Sequence, residues 1–151
     1  MEDALRMNAA SIQRQAITIV RDFVDVPPLL LDKHLVLQIL VNLISNAKHA
    51  MDGVPDRPHH ITLRIGIEKS GGSSCVAIRV EDDGEGIAPE VLPRLFAHGF
   101  TTRRHGHGFG LHSCALAAKE MGGSIKAESE GPGRGAVFTL KLPMKRPTTS
   151  G

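Results

Sequence analysis

The 151 residues carry 18 Lys and Arg against 16 Asp and Glu, a formal charge of +2, with 41% hydrophobic and 23% charged side chains. This is the balance of a single soluble globular domain, and interspersed charges with only 3% aromatics argue against a nucleic-acid surface. No apolar run approaches the ~20 residues a bilayer requires, and the start lacks a signal-peptide core. Cys75 and Cys114 are too few for a disulfide framework, so a reducing cytoplasm is the expected setting.

In chain order, Leu5, Ile12 and the neighbouring Ala residues recur at helical spacing over 2–15. The β-branched run 16–23 predicts a strand, ended by Val26-Pro27-Pro28. Asp32 is an N-cap candidate for a long helix to Met51, with Leu35, Ile39, Leu43, Ala47 and Ala50 on its buried face. Asp52-Gly53 closes that helix, and Pro55 and Pro58 keep the next stretch in a loop. Residues 61–68 and 75–81 alternate around Ser70-Gly71-Gly72-Ser73, which predicts a hairpin. A short helical segment over 89–95, a loop over 96–107 and a helix over 109–121 follow, the last stopped by Gly122-Gly123. Residues 124–129 and 135–142 form a second hairpin around E-G-P-G-R-G, and a polar tail follows from Pro143. The expected fold is an α/β (α+β) two-layer sandwich, a mixed β-sheet with helices on one face. Residues 16–143 make up the domain, with 1–15 a linker or helix tail and 144–151 a flexible tail.

Three glycine- or asparagine-bearing stretches carry the chemistry. Asn42 and Asn46, four apart, project from one face of the long helix. A carboxamide oxygen is a hard neutral ligand suited to magnesium, although Asn residues also serve as solvent-facing helix positions. Asp82 and Asp83 end a strand before Gly84-Glu85-Gly86-Ile87. A carboxylate there can accept a hydrogen bond from an exocyclic amine such as that of adenine, and the alternative is a plain Asp-Gly turn. The glycines would let a flat base approach the backbone. Gly106, Gly108 and Gly110 alternate before a helix, where exposed N–H groups favour an anion, with Arg103 and Arg104 directly upstream. A flexible hinge is the other reading. None of these is a P-loop. His59-His60, in a Pro-rich stretch, reads as an ordinary surface pair, and zinc has no support without H-E-x-x-H or paired Cys.

Together the stretches resemble the ATP-binding catalytic domain of bacterial sensor histidine kinases, within the Bergerat-fold (GHKL) ATPase superfamily. N-L-I-S-N-A-K-H-A-M is similar to its asparagine box and D-D-G-E-G-I to its first glycine box. L-F-A-H-G-F-T-T-R is similar to the phenylalanine box and G-H-G-F-G-L to the second glycine box. The likeness runs from about Asp32 to Pro143. It implies ATP and Mg2+ as ligands, with Asn46 on the metal, Asp82 on the adenine amine, and Gly84, Gly86 and Ile87 shaping the base pocket. It further implies that Gly106, Gly108 and Gly110 bind the phosphates, that Asn42 and Leu111 also belong to the nucleotide site, that Thr101 and Thr102 precede the phosphate loop, and that Arg103 is the catalytic cation. Two departures stand out: His49 occupies a position that often carries Lys or an acid, and the segment between Phe100 and Gly106 is short for a lid.

Hydrolysing members of the superfamily carry a Glu general base one helical turn before the magnesium Asn. Here that position is Asn42, which cannot accept a proton at neutral pH. Transfer to an imidazole needs no such base, and none of the eight histidines is followed by the Asp or Glu of an acceptor. The resemblance therefore implies a histidine on a separate dimerisation domain, a downstream response regulator, dimerisation only in the full-length protein, and a cytoplasmic domain of a membrane-anchored or soluble sensor. An ATP-sensing interaction module and an anti-sigma-type serine kinase are the alternatives.

Overall fold

The computed structural model describes residues 2–7, 9–14, 17–24, 33–51, 59–70, 73–96, 110–131 and 133–143. Helices α1 (Glu2–Met7) and α2 (Ala9–Arg14) precede strand β1 (Ile17–Phe23) and the long helix α3 (Lys33–Met51). Strands β2 (His59–Ser70) and β3 (Ser73–Asp82) follow, then a 3-10 turn (Leu92–Arg94), helix α4 (Gly110–Glu120), and strands β4 (Ser124–Glu128) and β5 (Ala136–Pro143).

Among the described residues the strands form one sheet in the order β1-β2-β3-β5-β4. β1 runs parallel to β2, from Ile17 opposite His59 to Phe23 opposite Ile65. Parallel neighbours need a crossover connection, and α3 lies in the chain between them. The remaining pairs are antiparallel, β2 on β3, β3 on β5 and β4 on β5. The sheet is therefore mixed, as expected. β2 and β3 pair as far as Ser70 opposite Ser73.

Alternation along the strands divides the sheet into two faces. Ile61 and Leu63 of β2, Val76, Ile78 and Val80 of β3, and Phe138, Leu140 and Leu142 of β5 are buried on the helix side. Ile39, Leu40, Leu43, Ile44 and Ala47 of α3 meet them, joined by Cys114, Ala117 and Ala118 of α4. The apolar face of α3 is wider than the spacing of Leu35, Ile39, Leu43 and Ala47 alone predicts, because Leu40 and Ile44 also face the core. The other face is polar. Arg64 pairs with Asp22 at 2.6 Å and with Glu81, and Glu68 pairs with Lys141 at 2.9 Å and with Arg79. The Arg79 and Lys141 cations hold the Glu68 carboxyl below its ordinary value.

The N-terminal segment is helical over Glu2–Met7 and Ala9–Arg14, in keeping with the helical spacing of Leu5 and Ile12. Ala4 and Leu5 are buried in the same core as α3, so α1 belongs to the helical layer of the domain. The register also begins earlier than the alternation suggested, since β2 starts at His59. No described helix is long and apolar enough to cross a membrane.

Candidate functional site

The loop from Asp82 to Ile87 leaves the end of β3 and is held by three other parts of the fold. Asp82 Oδ1 accepts the Gly84 N–H at 2.9 Å, an Asx-type turn that folds the loop back on its own carboxylate. Glu85 N–H donates to the Ala50 carbonyl at 2.9 Å, tying the loop to the last turn of α3. A Cβ on Gly84 would fall 2.7 Å from that same carbonyl group. Gly86 has φ +75°, and a Cβ there would collide with the Gly131 carbonyl oxygen. These two glycines are thus required by protein-to-protein contact with α3 and with the β4–β5 turn. The approach of a base to bare backbone is not needed to explain them.

Asp82 is the group of this loop whose titration is most altered by the fold. Burial pushes its carboxyl up to about 6 from an ordinary 3.8. The Gly84 and Ala136 backbone hydrogen bonds pull the other way, and the Asp83 and Glu85 carboxylates add to the rise. A buried carboxylate that is costly to ionise gains from an incoming neutral N–H donor, which is what an adenine amine supplies.

Asn42, Asn46 and Ala50 form one stripe of α3, each one turn from the next. Its ends are fixed by different neighbours. Ala50 meets the glycine loop, as above, whereas the Asn42 side-chain N–H reaches Cys114 Sγ on α4 at 3.5 Å. Cys114 lies one turn from Gly110, where α4 begins. Asn46, half-buried, therefore stands between the start of α4 and the Asp82 loop. The Asn42 contact ties it to the α3–α4 packing, a role that spacing alone did not suggest. Burial pushes the Cys114 thiol up to about 11, the Asn42 hydrogen bond opposing, so the thiol stays protonated.

Leu111, in the first turn of α4, is half-buried against the core. His112 Nδ1 lies 3.0 Å from the Phe96 carbonyl, an acceptor only, so that nitrogen carries the proton. Phe96 itself packs edge-on against Phe138, with centroids 6.4 Å apart at 81°. Thr101, Thr102, Arg103, Arg104, Gly106 and Gly108 lie outside the described residues, as does the 96–107 loop beyond Phe96.

The His59-His60 pair is not an ordinary surface pair. His59 is 8% exposed, and the His60 backbone N–H donates to both Asp83 oxygens, at 3.0 and 3.1 Å. His60 Nδ1 lies 3.0 Å from Asp83 Oδ2, and His59 Nδ1 lies 3.8 Å from Oδ1, beyond hydrogen-bond reach. The parallel register places His59 and His60 beside β1 and next to the end of β3. Local composition, with Pro55 and Pro58 just upstream, pointed to a turn, whereas the pairing that holds these residues is long-range. Also unforeseen was Ser129, whose hydroxyl accepts the Ile87 N–H at 3.0 Å. Three glycines after Ser129 were a signal of a constrained turn, but its partner loop lies 42 residues away.

A five-stranded mixed sheet with helices on one face, carrying a carboxylate turn against an asparagine-bearing helix, defines the class of Bergerat-type nucleotide-binding domains. Residues 31–146 match the family model of histidine kinase-, DNA gyrase B- and HSP90-like ATPases, and the chain belongs to that family. It is 41% identical over 107 residues to the sensor histidine kinase ZraS of Salmonella typhi, covering 71% of this chain and 21% of that kinase. Its fold is that of the catalytic domain of histidine kinase ThkA, with a TM-score of 0.78 at 24% identity, covering 95% of this chain and 91% of that one. Full-length ShkA in complex with AMPPNP superposes with a TM-score of 0.81 at 23% identity, over 98% of this chain and 30% of that one. The chain spans about a fifth of the length of ZraS.

Proposed function

We propose that this chain is the ATP-binding catalytic domain of a two-component sensor histidine kinase, delivering the γ-phosphoryl group of ATP to a histidine on a separate dimerisation domain. The observation that carries the reading is the Asp82 carboxylate, half-buried at the end of β3 and folded onto the Gly84 N–H beside α3. It offers an acceptor to the adenine amine, and the Gly84–Ile87 backbone forms the adjoining wall. A guanine, with a carbonyl at the corresponding position, would face the carboxylate with an acceptor and be rejected.

Asn46 is proposed to hold magnesium. Among the described residues no cluster of three His, Cys, Asp or Glu side chains could hold a metal. An ion at Asn46 would therefore take phosphate oxygens and water for its remaining ligands, as magnesium with a nucleotide does. When bound, it would neutralise charge on the phosphates. Gly110 and the helix N-terminus behind it favour anionic oxygens, with Arg103 the proposed cation and Thr101, Thr102, Gly106 and Gly108 its neighbours in sequence.

The chemistry is then positioning. A neutral imidazole nitrogen attacks the γ-phosphorus and the bond to the ADP oxygen breaks. Asn42 supports transfer over hydrolysis, because its amide lies against Cys114 and cannot take a proton from water. Partners proposed on this basis are the dimerisation domain of the same protein and a response regulator, with the domain on the cytoplasmic side. Calorimetric titration with ATP and GTP, each with and without magnesium, tests the reading. Magnesium-strengthened binding of ATP alone is expected, and equal binding of GTP would remove Asp82 from base recognition.

A further inference from the structure

The turn between β4 and β5, S-E-G-P-G-R-G, is bound to the Asp82–Ile87 loop by one side chain, Ser129, and by one backbone hydrogen bond. Ser129 Oγ accepts the Ile87 N–H at 3.0 Å and the Gly131 N–H at 3.2 Å. Its single proton faces the Gly135 carbonyl at 2.6 Å, with the Gly131 carbonyl more distant at 3.3 Å. A hydroxyl has two lone pairs and one proton, so every hydrogen-bonding position of Ser129 is used. Each partner touches the loop at a different point. Ile87 ends it. Gly131 packs its carbonyl where a Cβ of Gly86 would lie, and Gly135, at φ +70°, packs where its own Cβ would strike the Asp82 carbonyl. One backbone bond completes the seam, Gly133 N–H donating to the Glu85 carbonyl at 2.6 Å, while Arg134 N–H to the Gly131 carbonyl at 3.1 Å closes the turn itself.

We infer that Ser129 is a positioning residue for the base-recognition end of the site, holding both ends of the Asp82–Ile87 loop in register by one fully occupied hydroxyl. The inference rests on the reading of that loop as the adenine pocket. It is distinct from ordinary turn packing in one respect. A serine that only closed its own turn would need Gly131 and Gly135 alone, whereas here the third bond leaves the turn for a backbone amide of the recognition loop. The phosphate end, around Asn46 and Gly110, receives none of these bonds. The consequence is selective: loosening Ser129 should weaken recognition of the base and leave recognition of the phosphates intact.

The test compares the wild-type chain with Ser129→Ala, Ser129→Thr and Ser129→Cys, using adenosine and magnesium tripolyphosphate as separate probes. Ser129→Thr keeps the hydroxyl oxygen and should bind adenosine within about twofold of wild type. Ser129→Ala leaves two amides and a carbonyl without this partner and should bind adenosine about tenfold more weakly. Affinity for magnesium tripolyphosphate should stay within about twofold for both. Exchange of the Ile87 amide, slow in wild type and Ser129→Thr, should be fast in Ser129→Ala. Should Ser129→Ala fail to fold, Ser129→Cys retains the volume with a weak acceptor and should show the same selective loss, smaller in size. Equal weakening of both probes, or unchanged adenosine affinity in Ser129→Ala or Ser129→Cys, would overturn the inference while leaving the nucleotide site standing. Failure of the wild-type chain to bind ATP, ADP or adenosine would instead overturn the reading on which it rests.

Discussion

Asp82→Asn should stabilise the nucleotide-free domain while weakening ATP binding, because ionised Asp82 is held at a cost. Its carboxyl lies at about 6 in the fold against an ordinary 3.8. At 1.36 kcal/mol per pH unit, that difference amounts to about 3 kcal/mol at neutral pH. The residue is only half-buried, and solvent reduces the figure to about 1–2 kcal/mol. The sign follows from the raised value. The folded state binds the proton more tightly than the unfolded chain, so stability is greatest below about 4, falls as pH rises from about 4 to 6, and is level above that. Asparagine keeps the shape and an oxygen for the Gly84 N–H, and cannot ionise. Urea denaturation at pH 7 should therefore show Asp82→Asn more stable than wild type by about 1–2 kcal/mol, the gap closing towards pH 4. Calorimetry should show ATP affinity down about tenfold to a hundredfold, for the loss of a charge-assisted hydrogen bond. In the wild type, affinity should rise with pH up to about 6 and then level. A variant less stable than wild type at pH 7, or one binding ATP as tightly, would refute this account of the carboxylate.

Asn46→Ala should spare adenosine binding and remove the magnesium-dependent part of ATP affinity, read by titration with and without the ion; equal magnesium dependence in both proteins would sink the ligand assignment. Gly86→Ala should destabilise the domain by about 1–3 kcal/mol, from the positive φ, and more if the Gly131 carbonyl cannot give way; an unchanged denaturation midpoint would show that the seam yields. Alkylation at pH 8 should label Cys75 and leave Cys114, buried and pushed up to about 11, until the chain is unfolded; rapid labelling of both would mean that the α3–α4 packing opens readily.

The parts of the fold that follow local rules were readable from residue order. Turn glycines and alternating apolar residues located both hairpins, and the apolar stripe of α3 located the long helix within a residue or two. Parallel pairing of β1 with β2 was implied only by class, since nothing in either strand states its neighbour. The site was legible where one short stretch carries the chemistry, as with Asp82 and its glycines. It was illegible where the bond spans the chain. Asn42 and Cys114 are 72 positions apart, Ser129 and Ile87 are 42 apart, and His60 and Asp83 are 23 apart. Each pair has an innocuous local reading, as helix filler, turn serine or surface histidine, and only helix packing or strand pairing brings the partners together. The glycines illustrate the same point. Their spacing marked the loop, but their reason is the backbone of Ala50 and Gly131.

Transfer of label from γ-labelled ATP to a histidine-bearing dimerisation domain supplied in trans tests the proposed kinase activity most directly. The account predicts a labelled product that is lost in acid and stable in base, the behaviour of phosphohistidine, with phosphate release by the chain alone barely above background. General-base catalysis is worth about 10²–10⁴-fold, and Asn42 does not supply it. Label in base-labile, acid-stable form would indicate a hydroxyl acceptor instead. Phosphate release at several turnovers per second (about the ordinary range of enzyme turnover), with no labelled protein, would contradict the kinase reading.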